Sequence, residues 1–182
     1  MTAWRHAALL RHGQALCRAG TGHRTAADVT PRFVRGTPLR IAGLRRTHLS
    51  AKYADTTRKQ WIELVGIGPI GGQRSQIAYG VYCGDHVHPG QPQFDYLTGV
   101  EVALPDPLPQ GVDAIDLPAA DYAVFAHDGH VRDMRAMWPR ILSDWLPANR
   151  LSAGPRFERY GERFDPVMAS GPVEIWIAVT TN

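Results

Sequence analysis

Apolar residues alternate with basic or small ones along residues 39–48, a period of two that predicts a half-buried strand. A helix should follow. Asp55 or Thr57 can cap it, Thr57 and Gln60 stand at capping-box spacing, Trp61, Leu64 and Val65 supply an apolar stripe, and Gly66 should stop it. The glycine-rich stretch 66–74 reads as a loop. Two strands, 77–83 and 94–104, are expected on either side of the turn-rich residues 84–92, and the proline-rich run 105–111 marks a break. The order then begins again. Residues 112–117 and 122–127 read as extended, after which Val131, Met134, Trp138, Ile141 and Trp145 recur at spacings of 3, 4, 3 and 4, the face of a helix. Pro139 lies inside that face and should kink the helix or move its start. Residues 157–160 and 173–179 complete the pattern as strands.

The two halves echo each other. Trp61 precedes Tyr79-Gly80 and then Val100-Glu101-Val102, while Trp145 precedes Tyr160-Gly161 and then Val173-Glu174-Ile175. This predicts an α+β fold of two pseudo-symmetric βαββ-like units. The chain of 182 residues fits one such domain, over 37–182, behind a basic extension over 1–36 that holds a short helical stretch at 4–16.

Charge divides along the same line. Residues 1–60 carry 12 basic and 2 acidic side chains, and residues 61–182 carry 8 basic and 15 acidic, so the net charge of +3 describes no single surface. An acidic body favours cationic ligands through its long-range field, and a basic leading segment could meet an acidic partner. Direct nucleic-acid binding is not expected, because residues 1–36 contain no recognisable helix-turn-helix unit. No apolar run approaches the length of a membrane span, and Arg5, Arg11 and Arg18 break up the start with no secretory h-region after them. A cytoplasmic protein without membrane association is the expectation.

Catalytic and metal patterns are sparse. Cys17 and Cys83 are the two cysteines, and without CxxC spacing they read as free thiols. His86, His88, His127 and His130 have no zinc-specific spacing, and Asp128 reads as the cap of the second helix. Neither a GxSxG nucleophile nor a phosphate-binding glycine loop is present, so no cofactor, metal or catalytic residue is assigned.

Several motifs in order resemble the GyrI-like small-molecule-binding superfamily, which includes effector-binding domains of AraC-type, multidrug-responsive transcription regulators. They are Ile41-Ala-Gly-Leu-Arg45, Tyr79-Gly-Val81, Phe94 to Val102, Leu117-Pro-Ala119 with Tyr122 to Phe125, Trp145-Leu-Pro147, Phe157-Glu-Arg-Tyr160 and Val173 to Ile177. The likeness spans residues 35–180. It implies a curved antiparallel sheet with two helices flanking a ligand groove, and it puts Glu158 at the bottom of that groove. The last strand departs from the family, which often ends in Ile-Pro-Val where this chain has Ile177-Ala-Val179.

Strand alternation sets Glu158 and Tyr160 on one face, and sets Glu174 and Trp176 on the face away from Val173, Ile175 and Ile177. With the resemblance, Glu158, Glu174, Trp176, Tyr96, Tyr79 and Tyr160 become the expected ligand-binding set. A carboxylate among aromatic rings suits an amphipathic, cationic small molecule, each ring face adding about 0.5 to 2 kcal/mol. The expectation is a standalone effector-binding domain, with a transcription regulator or gyrase as a protein partner. Two alternatives stand beside it: hydrolysis of strained-ring alkylating natural products by a pocket glutamate, and a gyrase-inhibitor-like role through docking.

Overall fold

The computed structural model describes residues 30–84, 92–103 and 107–181. Within them the chain runs β1 (Arg32–Gly36), β2 (Leu39–Leu49), α1 (Tyr53–Ile67), β3 (Gln73–Cys83), β4 (Gln93–Val102), β5 (Asp113–Leu117) and β6 (Ala120–His130). Next come α2 (Val131–Arg140), a π-helical turn (Ile141–Trp145), a last helical turn α3 (Leu146–Ala148), β7 (Leu151–Tyr160) and β8 (Ser170–Thr181). The expected helical stretch at 4–16, Cys17, His86 and His88 lie outside the described residues.

All eight strands form one antiparallel sheet in the order β1-β6-β8-β7-β3-β4-β2-β5. The predicted duplication is visible in that order. β2-α1-β3-β4 and β6-α2-β7-β8 are the two βαββ units, and they meet where β3 pairs with β7. Each unit is completed by the strand that leads into the other, since β1 pairs with β6 and β5 pairs with β2. Only two residues join β1 to β2 and two join β5 to β6, yet these strands sit at opposite ends of the sheet. Two linking residues span about 10 Å at most, so the sheet must curl until its ends approach.

The curl creates two unlike faces. On one, a single cluster runs from end to end and includes Ile41, Val81, Leu97, Leu117, Tyr122, Val124 and Phe157. The other face carries the helices. There α2 packs Met134 and Trp138, and the π-helical turn packs Ile141, against Phe125, Ile175 and Ile177, while α1 packs Leu64 beside Ala42, Leu44 and Val102. Burying such side chains contributes roughly 1.5 to 3 kcal/mol each. No described helix is long and apolar enough to cross a membrane.

Local details correct several expectations. α1 begins at Tyr53, so Thr57 is an interior residue whose hydroxyl donates to the Tyr53 carbonyl at 2.7 Å, and no capping box forms. Gln60 instead reaches the sheet. Its amide donates to the Leu44 and Tyr96 carbonyls at 2.7 and 3.0 Å, and its oxygen lies 2.6 Å from His48 Nε2, which docks α1 on β2 and β4. The helix runs past Gly66 and ends at Gly68, whose φ of 82° a side chain would disfavour. At the second helix the cap is His130, which accepts from the Arg132 N–H at 3.1 Å, rather than Asp128. Pro139 stays inside α2. It has no N–H to donate one turn back, and the following turn widens to π geometry, with the Leu146 N–H bonded to the Ile141 carbonyl. Trp138 and Ile141 both remain buried against the sheet.

Candidate functional site

β7 lies at the middle of the sheet, and its alternation turns Glu158 and Tyr160 toward the helices and Phe157 and Arg159 away from them. On the same face, Tyr82 of β3 and Tyr96 of β4 are directly paired neighbours. Trp138 comes down from α2. These four aromatic groups converge on one carboxylate: Tyr82 and Trp138 donate to Glu158 Oε1 at 3.0 and 2.9 Å, and Tyr96 and Tyr160 donate to Oε2 at 2.6 and 2.7 Å. The rings also touch edge-to-face, with Tyr82 centroids 5.1 Å from Tyr96 and 5.0 Å from Trp138. Glu158 is 3% exposed.

All four donors are neutral groups, and none of the ion pairs among the described residues includes Glu158. A buried cation does share this face: Arg156, opposite Tyr82, whose guanidinium is lowered from its ordinary value by burial. The hydroxyls of Tyr82, Tyr96 and Tyr160 are raised well above the ordinary 10.0, first by burial and then by the negative charge of Glu158. They therefore stay protonated, as donors, at any physiological pH.

The sign of the pH dependence follows. A group whose folded pKa lies above its unfolded value contributes fully below the unfolded value and loses that contribution as pH rises toward the folded one. Stability should be flat through neutrality and fall above about pH 10, the ordinary tyrosine value. All six tyrosines are raised to some degree. An alkaline titration read by tyrosinate absorbance should show the absorbance of Tyr82, Tyr96 and Tyr160 arriving only with the loss of tertiary circular dichroism. Tyrosinate formation by all six near pH 10 in folded protein would contradict the cluster.

Above the cluster, between α1 and α2, lies a cleft of about 410 Å³. Tyr160 and Trp61 form its aromatic wall, their centroids 5.0 Å apart, and the loop after β7 adds Phe164, Val167 and Met168. Asp165 shapes that loop by accepting from the Val167 and Met168 N–H groups at 2.8 and 3.0 Å. Val167 and Met168 are consequently held at the mouth, 59% and 66% exposed. Tyr160 belongs to both features, lining the cleft and donating to Glu158.

Of the residues expected from the sequence, Glu158, Tyr96 and Tyr160 meet in this cluster, whereas Glu174, Trp176 and Tyr79 lie on the opposite face of the sheet. There Trp176 stacks on Phe157 at 5.5 Å, and Tyr79 packs 5.9 Å from Phe157. Glu174 accepts from Arg32 at 2.7 Å, Trp176 at 2.9 Å and Arg159 at 3.4 Å. Partial burial pushes the Glu174 carboxyl up, but these bonds and the two guanidinium charges outweigh it and hold the group below its ordinary 4.5. Tyr82 and Trp138 were missing from the expected set. The signal for Trp138 was its place at the centre of the α2 stripe, because a buried indole N–H requires an acceptor.

Cys83 is buried, and burial raises its thiol from the ordinary 9.0, which fits an unreactive side chain. Among the described residues, no three His, Cys, Asp or Glu side chains gather as metal ligands would.

Comparison with known proteins places the fold and the family. A stretch of 107 residues is 31% identical to the transcriptional regulator BrlR of Pseudomonas aeruginosa, taking in 57% of this chain and 38% of BrlR, so the match spans well under half of that regulator. The fold is shared with SAV2435, solved bound to tetraphenylphosphonium, at a TM-score of 0.60 and 16% identity over 82% of this chain and 93% of that one. An integron cassette protein from the mobile metagenome of Vibrio cholerae also matches, at a TM-score of 0.60 and 16% identity over 83% and 96% of the two chains. The family model of the GyrI-like small molecule binding domain matches residues 30–180, from before β1 to within one residue of the end of β8, and the chain belongs to that family.

Proposed function

We propose that the chain binds an amphipathic, cationic small molecule in the cleft between α1 and α2, with Glu158 as the buried counter-charge, and that it serves as the effector-binding part of a transcription-regulating system. The observation that carries this reading is the carboxylate itself. A buried negative charge is costly, and here it is hydrogen-bonded by four neutral donors while no ion pair neutralises it. The aromatic π-faces around it attract a delocalised cation, and the low-dielectric surroundings leave the carboxylate's field little screened. Tyr160 connects the two, one side of the phenol group facing the cleft and the hydroxyl bonded to Glu158.

Support from relatives is of two kinds. Tetraphenylphosphonium, the ligand of SAV2435, is a lipophilic cation without hydrogen-bond donors, so a site that holds it must rely on charge and aromatic contact. BrlR is a transcriptional regulator, which suits a sensing role for the shared domain.

Trp61 lines the cleft and Trp138 touches Glu158, so tryptophan fluorescence reports on the site directly. Titration with tetraphenylphosphonium should give saturable quenching, and Glu158→Gln should weaken the affinity at least about tenfold, the loss of one charge-assisted interaction of about 1.4 kcal/mol. Equal affinity in the glutamine variant would remove Glu158 from the binding role.

A further inference from the structure

All six arginines in ion pairs project from strands of the sheet, and five of them meet a carboxylate on another strand: Arg32 and Arg159 on Glu174, Arg35 on Asp121, Arg40 on Asp116 and Arg74 on Glu101; Arg46 meets Glu63 of α1. The cleft between the helices is different. Arg58, Arg132 and Arg135 line it together with His130, against the single carboxylate of Asp55, and none of these side chains belongs to an ion pair among the described residues.

Arg135 is held in place. Its guanidinium donates to Thr57 Oγ1 at 3.3 Å and lies 5.3 Å from the centroid of the Tyr53 ring, so it reaches from α2 to α1. Arg58 and Arg132 are exposed at the mouth, the latter in the first turn of α2, where the helix dipole adds to the positive potential. A simple lipophilic cation approaching Glu158 through this opening would pass a ring of like charge.

We infer that the ligand is zwitterionic: an aromatic or apolar body with a cationic end directed toward Glu158 and an acidic group, a carboxylate or its equivalent, held at the mouth by Arg58, Arg132 and Arg135. This rests on the cation-binding reading above and narrows its ligand class. The cleft supplies the matching surfaces: Tyr160, whose hydroxyl is bonded to Glu158, the rings of Trp61 and Phe164, and the arginines. Exposed guanidinium–carboxylate pairs are individually weak, so the acid's contribution is selectivity of modest size, and it is sensitive to salt.

The test compares two dyes that differ in one group. Rhodamine 6G is a cationic ethyl ester, and its free acid, rhodamine 19, keeps the same cationic ring system beside a carboxylate. Fluorescence anisotropy at low salt should show the acid binding about five- to tenfold tighter than the ester, as expected for two or three exposed ion pairs. In Arg58→Gln/Arg132→Gln, two exposed changes compatible with the fold, that ratio should fall to about twofold or less, the share left to Arg135, and high salt should likewise reduce it in the unaltered protein. Ester binding as tight as acid binding overturns the inference, and so does a preference for the acid that the arginine changes leave undiminished. The outcomes also separate this idea from the one beneath it. Ester binding that weakens in Glu158→Gln, without any preference for the acid, leaves the cation reading standing and removes the zwitterion. If neither dye binds, both readings fall.

Discussion

Glu158→Leu should lower the unfolding free energy by about 3 kcal/mol or more, whereas Glu158→Gln should change it by about 1 kcal/mol or less. Two effects oppose each other in the leucine variant. Removing a buried charge relieves a desolvation cost of several kcal/mol, and replacing a whole buried ionic group with apolar side chains is often neutral or stabilising. That result requires the partners to be replaced too. In this protein four donors remain, from Tyr82, Tyr96, Tyr160 and Trp138, each having lost its acceptor in a buried site. An orphaned buried donor costs about 1 to 3 kcal/mol, so four of them outweigh the relief unless they find one another. The phenols of Tyr96 and Tyr160 can pair, since both now reach the same Glu158 oxygen. The indole N–H of Trp138 can only donate, so it needs the Tyr82 hydroxyl, which shares Glu158 Oε1 with it, to turn and accept, and an open chain of these four donors still leaves one hydrogen without an acceptor.

Glutamine keeps an acceptor oxygen for Tyr82 and Trp138 and asks the other two hydroxyls to turn and accept, which is the reason for its smaller effect. Urea unfolding with a common m-value would measure the difference. A leucine variant more stable than the parent would mean that charge burial dominates, and that the glutamate persists for binding at the expense of the fold.

How much of this site could be read from the chain depends on which physical signal each part leaves. The long strands were legible because both faces of the sheet are covered, so β2, β4, β6 and β8 carry dense apolar runs. β1 left almost no trace: Arg32–Gly36 is a five-residue edge strand with two arginines, and its pairing with β6 comes from the topology. The first part of β7 was equally silent, because Ser152, Ala153, Gly154 and Pro155 lack a strand signature and lie where the register with β8 shifts.

Alternation correctly separated Glu174 and Trp176 from Val173, Ile175 and Ile177, but a period of two cannot say which face receives the helices. With both faces apolar, the sequence offered no reason to prefer one. The repeated Tyr-Gly pair illustrates the same limit. Tyr160 stands opposite Ala78 on the helix face, and Tyr79 stands opposite Arg159 on the other, so the two tyrosines of the echo do not occupy equivalent places. Trp138 and Tyr82 pack against each other, their ring centroids 5.0 Å apart. Their second role arises from the polar atom that a large aromatic residue must satisfy once buried.

The glycine opposite Glu158 has a role that no pattern in the chain announces. Gly80 pairs with Glu158 across β3 and β7, and a methyl group added there would overlap the Tyr96 hydroxyl and stand 3.1 Å from Glu158 Oε2. Ordinarily a glycine inside a strand costs about 0.5 to 1 kcal/mol relative to alanine, so Gly80→Ala would be expected to stabilise. Here the sign should reverse. The Tyr96 ring is 2% exposed and enclosed by Tyr82, Phe94 and His48, which leaves it little room to withdraw. Either the ring shifts and its bond to the carboxylate breaks, or β3 moves away from β7; the expected loss is about 2 to 4 kcal/mol, the sum of a charged hydrogen bond and packing strain.

A second substitution distinguishes these causes. Tyr96→Phe alone removes the hydroxyl and its bond, and should cost about 1.5 to 3 kcal/mol. If Gly80 exists to admit that hydroxyl, the double variant Gly80→Ala/Tyr96→Phe should be less destabilised than the two single losses added together, by about 1 kcal/mol or more, because one bond cannot be lost twice and the worst overlap has gone. Strict additivity, or a stabilised Gly80→Ala, would separate the glycine from the cluster. Coupling of the expected sign would show that the carboxylate's cage depends on a residue without a side chain as directly as on the four that donate to it.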